Sequence, residues 1–173
     1  MTPHGAVEEQ ERADFLETLA THRSFLRQTV QGLDDEQAAK RTTVSELCLG
    51  GLVKHVSQVE ARWADFIVRG AEAMGSADGD STDEHSASFQ MLAGETLAGL
   101  LKRYEEVADH TDELVASLPS LDGTHPLPEA PWFDAGTEWS ARRVLLHVIA
   151  ETSQHAGHAD IIREALDGAR TMG

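Results

Sequence analysis

The sequence has a single cysteine, Cys48, among 173 residues, so no disulfide can form within the chain. It also lacks any apolar run of the roughly 18 residues that a transmembrane helix needs. The first residues, from Met1 to Gly5, lack the basic patch and apolar stretch of a secretory signal. We therefore expect a cytoplasmic protein that has neither a disulfide scaffold nor a membrane partner.

Positive charge is also scarce. The chain has 14 Lys and Arg residues against 30 Asp and Glu residues, which gives a formal net charge of −16 at pH 7. Such a surface repels phosphate backbones and anionic lipids, so we expect no nucleic-acid partner. The simplest interpretation of the acidity is a solvated surface that keeps the protein soluble.

Apolar residues recur at the helical period in four long segments. We predict helices over residues 8–30, from 43–46 to about 69, over 89–118 and over 139–166. Thr43 and Glu46 have the spacing of a capping box, which predicts the start of the second long helix. Thr137 or Ser140 is the expected cap of the last helix, and Gly168 is expected to close it.

The connections between these segments are long. Residues 71–88 are rich in Gly, Ser, Asp and Ala, and residues 119–138 hold four of the five prolines. Both should be loops, the second an irregular crossover. Without a convincing strand pattern, the sequence predicts an all-α four-helix bundle, one domain over residues 1–173 with its core at about 10–168. Trp132, Phe133 or the first helix could supply a homodimer interface.

Ionisable side chains recur on one face of the last predicted helix. His147, Glu151, His155 and His158 follow one another at steps of four, four and three residues. Apolar neighbours would bury them, and buried ionisable groups need partners or a metal ion. All four cannot bind one ion, because positions 147 and 155 lie about 12 Å apart along the helix axis. The pairs 147/151, 151/155 and 155/158 all remain candidates.

A third ligand would have to come from another helix. His55 is the only histidine in the second long predicted helix, and apolar residues surround it, so it is expected to face inward. Two histidines and one carboxylate would leave coordination positions for water or substrate, as catalytic sites do. The alternative is that these histidines are ordinary core residues that bind no metal.

Two segments, LVKHVSQVEARW from Leu52 to Trp63 and WS…LHVIAETSQHAGHADIIRE from Trp139 to Glu164, resemble the DinB-like superfamily. They are most similar to an actinobacterial branch related to mycothiol-dependent maleylpyruvate isomerase and thiol S-transferases. The resemblance covers about residues 10–168. It implies an up-up-down-down four-helix bundle with one divalent ion near one end.

The resemblance also implies a ligand set. Position by position, it makes His55 and His155 metal ligands and places Glu151 where many members have a histidine. The branch that includes maleylpyruvate isomerase has the same exchange, so a carboxylate fits the site. The implied ion is zinc, with nickel or iron as alternatives.

Several further residues have two interpretations each. His147 could act as an acid or base, replace Glu151 as a ligand, or simply pack. His158 could orient a ligand imidazole or contact a neighbouring helix. Arg163 could anchor an anionic substrate group or pair with an acidic neighbour. Cys48 lies about 10 Å from His55 along the helix, too far to share its ion, and is interpreted as a small apolar residue.

The resemblance implies a metal-dependent transferase or isomerase that joins a low-molecular-weight thiol, such as mycothiol, to an electrophilic substrate. A divalent ion can deprotonate a thiol at neutral pH, which makes it a nucleophile. One alternative is a metal-dependent hydrolase, since a metal can also activate water. Others are a metal-binding stress-response protein without catalysis and a bundle without metal.

Overall fold

A computed structural model of the protein describes residues 3–74 and 86–171. Its α-helices are α1 (Pro3–Thr29), α2 (Asp35–Ala39), α3 (Leu49–Arg69), α4 (Leu97–Ser117) and α5 (Ala141–Asp167). A 3₁₀ helix, Gly70–Met74, extends α3, and two short strands, β1 (Thr124–Pro126) and β2 (Glu138–Ser140), pair antiparallel. No helix in these ranges is long and apolar enough to cross a membrane. The predicted all-α bundle is confirmed.

Two apolar clusters show the direction of each long helix. One cluster joins Leu26 near the end of α1 with Leu52 at the start of α3, Leu97 at the start of α4 and Ile162 near the end of α5. The other cluster joins the opposite ends of the same four helices. Helices α1 and α5 therefore run one way and α3 and α4 the other, which gives the chain order up-down-down-up.

This chain order corrects the expected order of up-up-down-down, and the connections explain it. Helix α1 ends at the same end of the bundle at which α3 begins. Helix α2 and residues 40–48 connect the two helices there, so α1 and α3 are antiparallel. The connection 70–96 joins the end of α3 to the start of α4, and these lie at opposite ends of the bundle. Within it, residues 75–85 of the predicted loop 71–88 lie outside the described residues.

The proline-rich connection before α5 was predicted to be a crossover without strands, and both expectations are wrong. It stays at one end of the bundle, where His125 pairs with Trp139 across the β1–β2 ladder. The backbone N–H of Ala141 donates to the carbonyl of Gly123, and Arg142 binds the carboxylates of Glu11 and Asp122. These bonds hold the start of α5 beside the start of α1.

Two predicted helix starts are also wrong. Helix α3 begins at Leu49 with the Cys48 sulfur accepting from the Gly51 N–H, and α4 begins at Leu97, not at residue 89. The chain around Phe89 instead packs on the first turn of α3, where a Cβ on Gly51 would lie 1.9 Å from the Phe89 carbonyl oxygen. Glycine at this position permits an approach that any larger residue would block. At α5 the Ser140 cap and the left-handed Gly168 are confirmed.

Candidate metal centre

Three side chains from two helices converge beside the middle of α5. Helix α3 supplies His55, and adjacent turns of α5 supply Glu151 and His155. One possible ligand atom from each residue lies within 4.8 Å of the other two, and no other such His, Cys, Asp and Glu group occurs in the parts of the chain that the structure describes. The imidazole rings of His55 and His155 are 4.9 Å apart at an angle of 75°. The three residues that the resemblance implied as ligands thus lie together.

The geometry of the helices explains this convergence. Residues four apart on α5 project from the same face, so Glu151 and His155 meet regardless of the rest of the fold. Helices α3 and α5 are antiparallel neighbours, which brings the first half of α3 beside the middle of α5. Both histidines are buried, while Glu151 is partly exposed. The cluster therefore has an apolar side and a side open toward solvent.

Neighbouring side chains fix both imidazoles. The His55 Nδ1 atom lies 3.0 Å from the Ser88 hydroxyl, and the Phe89 ring stacks on His55 with the ring centroids 3.8 Å apart. The His155 Nδ1 atom lies 3.4 Å from Nδ1 of His158, while its Nε2 atom lies 3.6 Å from the Glu151 Oε2 atom. Such partners hold a ring in one orientation, which favours metal binding through the other nitrogen.

The electrostatics keep the carboxylate charged. The hydrogen bond with His155 is the largest influence and lowers the pKa of Glu151, while burial acts in the opposite direction. Electrostatic interaction with His147, His155 and His55 lowers the pKa further. The site therefore offers two imidazole nitrogens and an ionised carboxylate oxygen at neutral pH. Ligand atoms on a tetrahedral zinc ion lie roughly 3.4 Å apart, close to the 3.6 Å between His155 and Glu151. These residues therefore fit a divalent ion with small side-chain movements.

His147 lies beside this group and does not complete it. Its Nε2 atom is 3.7 Å from the Glu151 Oε1 atom, on the side away from His155. The Trp63 and Trp139 rings meet the His147 ring edge-on, at centroid distances of 4.8 and 5.2 Å. Burial lowers the pKa of His147, an effect that the Glu151 charge opposes. The ring is thus held between an aromatic pair and the carboxylate and favours its neutral form.

Arg163, predicted as a possible anion anchor, has structural contacts instead. Its guanidinium donates to the Asp167 carboxylate and to the backbone carbonyls of Thr29 and Gln31. These bonds join α5 to the end of α1. Asp160, which belongs to the family motif, accepts hydrogen bonds from Thr171. Neither side chain is directed at the His55–Glu151–His155 group in these contacts.

Sequence reasoning missed Ser88 and Phe89, the two residues that hold His55. Phe89 was assigned to a helix, and Ser88 to a loop. A signal was nevertheless present in Gly50 and Gly51, whose lack of side chains indicated the close approach of another segment to α3. The sequence could not show which segment that would be.

The comparison with protein families decides the identity of the fold. The family model described as mycothiol S-transferase matches residues 14–168. The chain belongs to this family. The DinB-like resemblance is thereby confirmed, since the family is a member of that superfamily. No curated protein matches the chain, and no solved structure does.

For a mycothiol S-transferase family member, the arrangement has a clear chemical use. Membership points to thiol transfer, and the described residues provide a group that could hold a metal ion. Three protein ligands leave at least one coordination position for a small molecule. The side of the group that is open to solvent lies where Glu151 is exposed.

Proposed function

We propose that this protein is a metal-dependent transferase that joins mycothiol to an electrophilic substrate, with His55, Glu151 and His155 as the metal ligands. The convergence of these three side chains carries the proposal. Family membership supplies the thiol class. Zinc is the proposed ion, because two imidazoles and a carboxylate with an open position form a common catalytic zinc donor set.

The metal ligands and His147 would have different roles in the reaction. A divalent ion in this site would lower the pKa of a thiol placed in its open position, so that the thiolate forms at neutral pH. His147 is placed to accept the thiol proton at Nε2, because its neutral form is favoured and it lies one helical turn from Glu151. The sulfur would then form a bond to the electrophilic carbon, and the leaving group would depart with its bonding electrons.

Ser88 and His158 would act through the ligands. Each contacts the Nδ1 atom of one histidine, His55 or His155, and so holds that ring's orientation. Phe89 covers one face of His55 and limits the access of water. We further propose that the protein acts in the cytoplasm as one domain, where its single thiol, Cys48, is buried and takes no part in the reaction.

Metal content and thiol consumption together test this proposal. Protein purified without a histidine tag is analysed for bound metals, and mycothiol consumption with 1-chloro-2,4-dinitrobenzene is followed before and after chelation. We expect about one equivalent of zinc, loss of turnover on chelation, and recovery with added zinc. The variants His55→Ala and His155→Ala should lose both metal and turnover, while His110→Ala, an exposed histidine on α4, should keep both.

Each result has a defined meaning. Protein that neither contains zinc nor takes it up would overturn the ligand assignment. Zinc binding without thiol consumption by any electrophile would overturn the transferase proposal and leave a metal-binding protein of another activity.

A further inference from the structure

The polar stripe on α5 extends beyond the candidate metal ligands to Arg143. Positions 143, 147 and 151 are four apart, so each side chain lies about one helical turn from the next along one side of the helix. Each step of four residues covers about 6 Å, which places Arg143 roughly 12 Å from Glu151 along the axis. A molecule held near Glu151 and extending toward the start of α5 would pass His147 and reach Arg143.

An aromatic pair holds the Arg143 side chain in place. The guanidinium carbon lies 4.2 Å from the centroid of the Trp139 ring. The Trp139 ring also stacks on the ring of Trp63 in α3, with the ring centroids 4.8 Å apart and an angle of 17° between the ring planes. Stacking on an aromatic face leaves the N–H groups at the guanidinium edge able to donate to a carboxylate in its plane.

The charge of Arg143 has no carboxylate partner within residues 3–74 and 86–171, although the chain has 30 acidic residues. The adjacent Arg142 shows the contrast, because it forms ion pairs with Glu11 and Asp122. Arg143 is also exposed to solvent. An acidic protein repels anionic ligands in general, so a fixed, exposed cation beside the site offers them a specific point of attachment.

We propose that Arg143 binds a carboxylate of the electrophilic substrate and so selects elongated anionic acceptors, whose carboxylate lies roughly 10 Å from the reacting carbon. This inference rests on the proposed transferase function. Trp139 and Trp63 orient the guanidinium, and the acceptor lies along α5 past His147. Arg143 takes the role for which the sequence had suggested Arg163.

A matched pair of acceptors tests the proposal. N-(4-chloro-3-nitrobenzoyl)-β-alanine carries a carboxylate at the required distance, and its carboxamide is neutral. Turnover of each with mycothiol is measured for the zinc-loaded wild type and for Arg143→Gln, Arg143→Lys and Arg103→Gln. The last variant removes one exposed charge from α4 and controls for net charge.

For Arg143→Gln we expect kcat/KM for the charged acceptor to fall roughly 10- to 100-fold, mainly through KM, because a charge-assisted bond is lost. The neutral acceptor should change less than about 2-fold. Arg143→Lys should retain part of the preference, because it keeps the charge but not the planar fork. Equal losses for both acceptors would overturn the inference and leave the transferase function standing.

A binding measurement separates failure of the inference from failure of the function. Calorimetry with N-benzoyl-β-alanine and its carboxamide, neither of which reacts with thiols, uses the same four proteins with zinc. We expect roughly 10-fold weaker binding of the carboxylate to Arg143→Gln than to wild type. If wild type turned over neither these acceptors nor 1-chloro-2,4-dinitrobenzene or any other electrophile, the transferase function would fail, and this measurement would still decide the role of Arg143. Equal carboxylate affinity in the two proteins would contradict it.

Discussion

The bundle contains two buried polar clusters that differ in how their charges are satisfied. In the core ion pair, Arg23 binds both carboxylate oxygens of Glu60, at 2.5 and 3.2 Å, and also binds Asp112. In the triad of His55, Glu151 and His155, the carboxylate faces imidazoles at longer distances. Glu60 is 0% exposed, whereas the Glu151 side chain is 28% exposed.

The difference shows which buried charges indicate function. A guanidinium is always charged and donates from a planar fork, so it satisfies Glu60 without any other group. In the triad, Glu151 contacts the ring nitrogens of His147 and His155 only at 3.7 and 3.6 Å. The core ion pair is complete by itself, while the triad is a group that could hold a metal ion.

The largest expected effect comes from breaking the core ion pair. Glu60→Ala leaves the buried Arg23 charge without its main partner and should lower the free energy of unfolding by about 3–5 kcal/mol. In the metal-free protein, Glu151→Ala should cost less than about 1 kcal/mol, since the site is partly solvated. Urea unfolding measures both, with Glu113→Ala, on an exposed part of α4, as the control. Similar losses at Glu60 and Glu151 would remove the distinction between the clusters.

Added zinc should affect the stability through the triad and not through the core ion pair. Zinc at 100 times its dissociation constant should stabilise the wild type by about 2.7 kcal/mol, because it binds the folded state alone. The increment should vanish in His55→Ala but persist in Glu60→Ala, whose triad is intact. Unfolding curves of the three proteins, each with and without zinc, give the three increments. An undiminished increment in His55→Ala would place the zinc elsewhere.

A smaller effect is expected from the partner of His155. His158→Ala removes the contact between the two Nδ1 atoms, so the ligand ring loses its fixed orientation. Loss of such a partner commonly lowers metal affinity 10- to 100-fold, or about 1.4–2.7 kcal/mol. Competition with a chromogenic zinc chelator measures the change. The control His110→Ala should bind zinc as tightly as wild type. If His158→Ala also kept the wild-type zinc affinity, the role assigned to His158 would be contradicted.

The smallest effect is a pH dependence in the metal-free protein. The pKa of Glu151 is lowered from 4.5 in the folded state, chiefly by the contact with His155. Its ionised form therefore contributes stability above pH 4.5, and this contribution is lost as the pH falls through the folded-state pKa. Subtracting the unfolding free energies of Glu151→Gln from those of wild type isolates it. A difference that stays constant between pH 6 and pH 3 would contradict the shift.

The sequence was most informative where neighbours in the chain are neighbours in space. Glu151 and His155 meet because a helix places residues four apart on one face. Ser140 and Gly168 mark the start and the end of α5 through local backbone geometry. It misled where a distant segment competed with a local signal. Thr43 and Glu46 have capping-box spacing, but the helix begins after Cys48, whose sulfur caps the first turn, and the Phe89 segment packs against that turn. The β1–β2 pair was not predicted, because three-residue strands are too short to show a detectable period of apolar residues.

The sequence by itself determined the long amphipathic helices and the stripe of ionisable residues along α5, since both follow from periods of the chain. Only the tertiary structure decided that α1 and α3 are antiparallel, that Ser88 and Phe89 hold His55, and that Arg143 rather than Arg163 is the exposed cation beside the site. The reason is physical: a helical period fixes which side chains share a face. Which faces then meet depends on packing between segments that lie far apart in the chain.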